Sequence, residues 1–273
     1  MAITSRDQLI AALANSRHAL FDKASVANAV AGRFYSLWRA TGQPGQGAIP
    51  AMQAVCNKDL LGALPLVNQT PPATNYLAWV DVATGNATST LEIHDRLCHQ
   101  GGLSGTIASP TAQTTNLPLT LAGVPTERIG AEDHSQLQWW LEWYADTGST
   151  AVSATVNVTY SDDSSSNVVV PLAATSRASG LYQILPYAAG KSGIKAVNSV
   201  TLSATTGTAG NFGVTCTRYR AGLFTVVANK AEVFDWAALA LPEIANDSCL
   251  ALLQLCTTTT TGISKGVVRF AAG

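Results

Sequence analysis

The stretch Val152-Ser-Ala-Thr-Val-Asn-Val-Thr-Tyr160 alternates apolar and polar side chains at every position. Successive side chains of a β-strand point to opposite faces of the sheet, so this alternation predicts a strand with one buried and one solvated face. Further segments alternate in the same way or are rich in β-branched residues, and clusters of Gly, Ser, Asn and Pro separate them. These segments are Tyr76–Val82, Thr90–His94, Leu137–Ala145, Val168–Leu172, Val197–Thr205, Phe212–Tyr219, Leu223–Val227, Cys249–Cys256 and Gly266–Phe270. The sequence therefore predicts a mainly β protein, an antiparallel sandwich or a jelly-roll-like barrel with a short helical N-terminal segment.

The N-terminal residues follow a helical rather than a β pattern. Thr4 or Ser5 can cap a helix whose apolar residues repeat at helical spacing, and a second short helix is predicted over 25–31. A Gly- and Pro-rich loop follows. We therefore predict an N-terminal helical arm and loop over residues 1–47 and a β-sandwich body over 48–273, which can also form one continuous domain. Deleting residues 1–31 should then leave the body folded.

Charged residues make up only 12% of the chain, with 16 basic and 17 acidic residues and a formal net charge of −1. A soluble monomer normally covers its surface with charged side chains. A surface with so little charge is typical of a protein that partners cover, which indicates an assembly component. The chain has no Lys/Arg run to neutralise phosphates and no apolar stretch long enough to span a membrane, so neither nucleic acid nor membrane is expected as a partner.

The chain contains five cysteines, which are Cys56, Cys98, Cys216, Cys249 and Cys256. Their odd number and irregular spacing predict reduced, mostly buried thiols rather than a disulfide framework. The first residues lack the apolar core of a secretory signal. Both observations favour assembly in a reducing cytoplasm.

Two short motifs suggest chemistry, but both are incomplete. In His94-Asp-Arg-Leu-Cys98-His99 a helix would bring His94 and Cys98 together as zinc ligands, yet a structural zinc site needs four ligands and no second pair follows. We interpret this segment as a strand end with a buried thiol and surface histidines. The segment Gly190-Lys-Ser lacks the first glycine of a phosphate-binding loop, because Leu185 occupies that position. No catalytic, cofactor-binding or metal-binding residue is therefore predicted, no cofactor is expected, and the protein is predicted not to be an enzyme.

The segment Trp139-Trp-Leu-Glu-Trp143 is unusually aromatic. In a strand, Trp139 and Trp143 face one way and Trp140 faces the other. One face belongs to the core. The other face is an aromatic platform for a sugar, a surface that a partner covers, or a second buried face inside a sandwich.

Several stretches, taken in chain order, resemble virion structural proteins of tailed double-stranded-DNA phages. They are Gly32–Gly45, Gly193–Ser203 running into Thr206-Gly207, Cys249–Cys256 and the final Val268–Gly273. The resemblance covers most of the chain. It implies a particle component without catalytic residues, and in particular a capsid decoration (cement) protein.

We therefore expect a structural component of a phage particle that binds and stabilises the outer shell. The expected partners are the major capsid protein and further copies of this chain, as a dimer or trimer. The expected location is the virion, after assembly in the host cytoplasm. Two alternatives stay open: a tail or baseplate structural protein, and a carbohydrate-binding adhesion module that uses the Trp139–Trp143 strand.

Overall fold

The computed structural model describes residues 3–186, 188–207 and 210–273, and most of its regular structure is β. In chain order the strands are β1 (Arg17–Lys23), β2 (Arg33–Ser36), β3 (Gly42–Gln43), β4 (Ala54–Val55), β5 (Asn75–Thr84), β6 (Ser89–Ser104), β7 (Leu119–Thr120), β8 (Leu137–Trp143), β9 (Val152–Tyr160), β10 (Ser165–Leu172), β11 (Gly180–Ile184), β12 (Ile194–Leu202), β13 (Asn211–Thr225), β14 (Glu232–Phe234), β15 (Glu243–Ile244), β16 (Leu250–Cys256) and β17 (Ser264–Ala272). The helices are α1 (Arg6–Ala14), α2 (Thr126–Ile129), α3 (Trp236–Leu239) and one 3₁₀ turn (Leu37–Arg39). A mainly β, antiparallel fold with a short N-terminal helix is confirmed.

The contacts divide the chain into two compact units. Unit 1 consists of Met1–Ala48, Asn57–Asp95 and Arg220–Gly273, and unit 2 consists of Ile49–Cys56 and Arg96–Tyr219. Strands β6 and β13 each begin in one unit and end in the other. The predicted boundary at residue 47 is a statement about which part of the chain folds alone. Contacts within the folded chain do not test that statement, so it stays a prediction.

Unit 1 has two antiparallel layers. One layer is a sheet in the order β14-β5-β17-β1-β3, with β15 also paired to β5. In the other layer β16 pairs with β2 on one side and with the first half of β6 on the other. The core between the layers includes Phe21, Leu77, Val80, Leu252 and Phe270. Unit 1 is therefore a sandwich.

The N-terminal segment contributes strands to this sandwich as well as the predicted helix. Of the two predicted cap residues, Ser5 is the one that caps α1, in a capping box. The second helix, predicted over 25–31, is wrong, because no helix forms there. Strand β1 was missed; it pairs along its whole length with β17. Its inward side chains are Ala19, Phe21 and Lys23.

Lys23 is a buried cation that forms hydrogen bonds with the loop after the 3₁₀ turn. Its side chain is 1% exposed, and its Nζ donates hydrogen bonds to the carbonyls of Ala40 and Pro44, each at 2.8 Å. Burial lowers the pKa of Lys23 to about 8. The ammonium is therefore still charged at neutral pH, where it satisfies two carbonyls of buried residues.

Replacing Lys23 by methionine should lower the free energy of unfolding by about 1–3 kcal/mol, because the two carbonyls lose their donor. Chemical denaturation at pH 7 measures this loss. Lys265→Met is the matched control: Lys265 stands on β17 opposite Asp22, its side chain is exposed, and its ion pair should contribute at most about 1 kcal/mol. Equal losses in the two variants would contradict the assignment.

Unit 2 also has two antiparallel layers. One is a sheet in the order β10-β9-β12-β7. In the other, β8 lies between β11 and β13, and the second half of β6 pairs with β4. The core contains the inward residues of β9, namely Val152, Ala154, Val156, Val158 and Tyr160, packed with Trp139, Trp143 and Phe212. The alternation of Val152–Tyr160 is therefore confirmed residue by residue.

The other predicted strands are found with shifted ends. The segments Phe212–Tyr219 and Leu223–Val227 are parts of one long strand, β13, and β6 extends ten residues beyond its predicted end at His94 to Ser104. All five cysteines are buried and none forms a disulfide, as predicted.

Candidate interaction surface

The tryptophan-rich strand β8 is buried on both faces. Trp139, Trp140 and Trp143 are at most 2% exposed. Trp139 Nε1 donates to the carbonyl of Ile194 at 2.7 Å, and Trp140 Nε1 donates to Thr217 Oγ1 at 2.9 Å. Three interpretations of the outer face of this strand were open: a sugar platform, a partner-covered surface and a second buried face. The structure agrees with the second buried face. Sugars cannot stack on these rings in this conformation.

A buried polar cluster lies beside this strand, within unit 2. Glu142 Oε2 accepts hydrogen bonds from Arg96 Nη2 at 2.7 Å and from Thr215 Oγ1 at 2.6 Å. Arg96 Nε donates to His99 Nδ1 at 3.0 Å, and the Tyr144 hydroxyl lies 3.4 Å from Glu142 Oε2. All five side chains are buried.

Electrostatics keeps the Glu142 carboxylate charged. Burial alone would raise the pKa of Glu142, but the Arg96 charge and the hydrogen bonds from Arg96 and Thr215 outweigh burial and hold the pKa below its ordinary value. Burial raises the pKa of Tyr144 far above its ordinary value, so that its hydroxyl stays neutral. Because solvent does not reach the cluster, we interpret it as a stabilising network.

The sequence motifs considered for metal or phosphate binding do not form sites. His94 and Cys98 lie on strand β6 rather than on a helix, and no group of three or more His, Cys, Asp or Glu residues within the described ranges can hold a metal ion. The predicted surface histidines are wrong: His94 is fully buried and contacts Glu92 at 2.8 Å, and His99 is buried in the polar cluster. Gly190 lies in a turn before β12.

The solvent-facing side of the sheet β10-β9-β12, which we call the Thr/Asn face, carries almost no charge. Its residues are Ser153, Thr155, Asn157 and Thr159 from β9, Ser165, Asn167, Val169 and Pro171 from β10, and Lys195, Asn198, Ser199 and Thr201 from β12. In these three strands, all of them described, only Lys195 on this face is charged, and it pairs with Asp163. On a typical soluble protein, roughly a quarter to a third of the surface residues are charged.

Hydrogen-bonded amides cross the Thr/Asn face from strand to strand. Asn198 Nδ2 donates to Asn157 Oδ1 at 2.9 Å, and Asn157 Nδ2 donates to Asn167 Oδ1 at 2.9 Å. Asn198 Nδ2 also donates to Thr159 Oγ1 at 2.9 Å. The chain of amides therefore runs towards β10 and ends at the Nδ2 group of Asn167.

Unit 1 presents apolar side chains to solvent on α3 and the neighbouring strands. Phe224, Val233 and Trp236 are each between 43% and 57% exposed. A groove of about 730 Å³ between α1 and α3 is lined by Leu9, Trp236 and neighbouring residues. Exposed apolar side chains that lie close together are typical of interaction surfaces, so this region is a candidate for one. Sequence patterns alone did not single out this region, because its residues belong to different chain segments.

No described helix has the length and apolar character to cross a membrane.

Comparison with known proteins gives only weak similarity. No protein-family model matches the chain, and no curated protein matches it. Two solved structures with weak similarity to this chain are structures from a virus. A structure of the infectious bursal disease virus Gx strain is 10% identical, with 94% of this chain and 80% of that chain covered and a TM-score of 0.18. A crystal structure of the infectious bursal disease virus VP2 subviral particle is 10% identical over the same shares, with a TM-score of 0.17. TM-scores this low do not indicate a shared fold.

Proposed function

We propose that this protein is a structural, non-enzymatic component of a virus particle, and more specifically a capsid decoration protein of a tailed phage. It would bind the outside of the shell and stabilise it by burying low-charge surface against the major capsid protein and against other copies of itself. The observation that carries this proposal is the Thr/Asn face, a broad sheet surface with one charged residue, which is already neutralised. Such a surface can be covered by protein without desolvating unpaired charges.

Three further observations support the proposal. The exposed apolar side chains of unit 1 supply a second surface that favours burial against protein. The near-zero net charge disfavours nucleic acid as the partner. Five buried thiols without a disulfide are compatible with assembly in a reducing host cytoplasm.

The proposal is tested by locating the protein on particles. We expect particles purified by density gradient from a producing culture to contain the chain, as measured by mass spectrometry. Antibody labelling in electron microscopy should then mark the shell. Absence of the chain from purified particles would overturn the structural role. Labelling confined to the tail or baseplate would overturn the decoration role and support the alternative tail component.

The adhesion alternative is not favoured by the structure of β8, whose tryptophan side chains are buried. Glycan-array binding by the folded protein that Trp140→Ala abolishes would reinstate it.

A further inference from the structure

Strand β10 forms an open edge of its sheet. It pairs with β9 on one side, and no strand among the described residues pairs with its other side. An open edge carries a row of backbone N–H and C=O groups that can pair with another strand. The solvent-facing side chains of β10 are exposed along the strand.

The hydrogen-bond pattern shows which backbone groups of β10 point outward. The N–H of Tyr160 donates to the carbonyl of Ser164 at 2.8 Å. Inward and outward residues alternate along an antiparallel strand. With the register Ser165↔Thr159, the outward groups are therefore those of Ser165, Asn167, Val169 and Pro171.

Of the features that normally prevent strands from pairing, this edge carries one, a proline near its end. None of its eight residues is charged, and three consecutive valines precede Pro171. Protective edges usually carry Lys, a bulge or a central proline. Here the proline lies near the end of the strand, and its missing N–H falls at an outward position, so it costs no bond to β9.

We propose that two copies of this protein pair through β10, edge to edge and antiparallel, across a twofold axis at Asn167. In this register Ser165 lies opposite Val169 of the second copy, and Asn167 lies opposite Asn167 of the second copy. The two β10-β9-β12-β7 sheets then form one continuous sheet. This inference rests on the self-association in the proposed function and names the strand that carries it, and it can be tested without any other virion protein.

The register follows from the available donors. Each copy offers three outward residues that have both an N–H and a C=O, namely Ser165, Asn167 and Val169. Only a twofold axis at Asn167 pairs all three of them with each other and leaves Pro171 outside. A shift by two residues in one direction brings Pro171, which has no donor, into the ladder. A shift in the other direction leaves Val169 opposite the turn at Asp163.

The side chains are complementary in the same register. Asn167 Nδ2 ends the chain of amides, and across the axis it meets the amide oxygen of Asn167 in the second copy, which has a second lone pair. The acidic residue nearest to β10 is Asp163. In this register Asp163 of one copy lies opposite Pro171 of the other, eight residues away from that copy's own Asp163. The two Asp163 carboxylates therefore stay roughly 25 Å apart. Homotypic pairing therefore brings no like charges together.

Cysteine cross-linking tests the register. Opposed residues of a hydrogen-bonded antiparallel pair have Cα atoms about 5.5 Å apart, within the range that a disulfide spans. The full-length Asn167→Cys variant should therefore form a covalent dimer on mild oxidation, seen on a non-reducing gel. Thr155→Cys, on the same face but one strand inward, should not, because its two copies would be at least about 14 Å apart. The wild-type chain, with five buried cysteines, controls for other disulfides.

A charge at the axis tests the same contact without a cross-link. Asn167→Asp keeps the acceptor for Asn157 but places two carboxylates opposite each other. By analytical ultracentrifugation we expect a dimer for the wild type and an at least tenfold weaker association for Asn167→Asp. Thr201→Asp adds the same charge to the same face on β12 and should leave association unchanged.

Three results would overturn the proposal: a wild-type monomer at high micromolar concentration, equal association of wild type and Asn167→Asp, or equal cross-linking of Asn167→Cys and Thr155→Cys. If Asn167→Asp fails to fold by circular dichroism, the cross-linking result decides alone. Because these measurements use purified protein, their failure leaves the particle-location test of the proposed function unaffected.

Discussion

Glu142→Gln should lower the free energy of unfolding by about 3–5 kcal/mol, because it leaves the Arg96 guanidinium charged and buried without its counter-ion. Glutamine has nearly the same shape as glutamate, so packing changes little and the loss reports the charge. Urea denaturation followed by tryptophan fluorescence measures it, since three tryptophans lie on β8 beside the cluster.

The control for this variant is an ion pair on the surface. Lys58 and Asp59 form such a pair, and Asp59→Asn should change stability by less than about 1 kcal/mol. Replacing both buried partners, with Arg96→Met and Glu142→Leu together, should recover much of the loss, because no unpaired charge is then left in the interior. A loss below 1 kcal/mol for Glu142→Gln would show that the pair contributes little.

The same pair gives a direction for the pH dependence. The folded state holds the pKa of Glu142 below its ordinary value, so the unfolded state binds more protons at acidic pH. The stabilisation by Glu142 is therefore present above the unfolded pKa of about 4.3 and is lost as pH falls through the folded pKa. In the Glu142→Gln variant this part of the acid sensitivity should disappear.

Deleting residues 1–31 should abolish cooperative folding of unit 1, which is the opposite of the expectation from the sequence. The deletion removes β1 from between β17 and β3, along with the buried side chains Phe21 and Lys23. Loss of a buried Phe side chain alone typically costs about 3–5 kcal/mol, and whole domains are stable by only about 5–15 kcal/mol. Circular dichroism and thermal unfolding measure the outcome.

A shorter deletion separates the helix from the strand. Removing residues 1–14 takes away α1, of which only Leu9 is buried, and keeps β1. This variant should stay folded and lose about 1.5–3 kcal/mol. If the 1–31 deletion instead unfolds with the same midpoint as the full chain, the N-terminal arm predicted over residues 1–47 is correct.

Local patterns predicted a strand most accurately where apolar and polar residue types alternate in step with burial. The segment Val152–Tyr160 is the best example, because each apolar residue faces the core and each polar residue faces solvent. Strand β1 was missed because its pattern is inverted at two positions: Leu20 is 61% exposed, whereas Lys23 is buried and donates to carbonyls 17 and 21 residues along the chain. Sequence periodicity cannot reveal a lysine whose acceptors are backbone carbonyls.

The candidate surfaces depend on pairing between distant strands, which the sequence does not display. Arg96 and Glu142 are 46 residues apart and meet only because of their strand positions. The amide chain through Asn198, Asn157 and Asn167 likewise needs the order of β12, β9 and β10 in the sheet. The composition showed that the chain has few charged residues. It did not show that one face of a sheet would be nearly free of them.

The central place of β17 has a consequence for synthesis. Strand β17 is near the C-terminal end of the sequence, yet it lies between β5 and β1 in the middle of its sheet. While the chain emerges from the ribosome, β1 and β5 have been made long before the strand that joins them, whereas unit 2 has a single main segment that is complete much earlier. Domains generally fold as they emerge, and unpaired strand edges invite aggregation. In nascent chains, unit 2 should therefore be folded while unit 1 stays incompletely paired and prone to aggregation until β17 leaves the exit tunnel. Translation that stops shortly before Ser264 should yield products that aggregate.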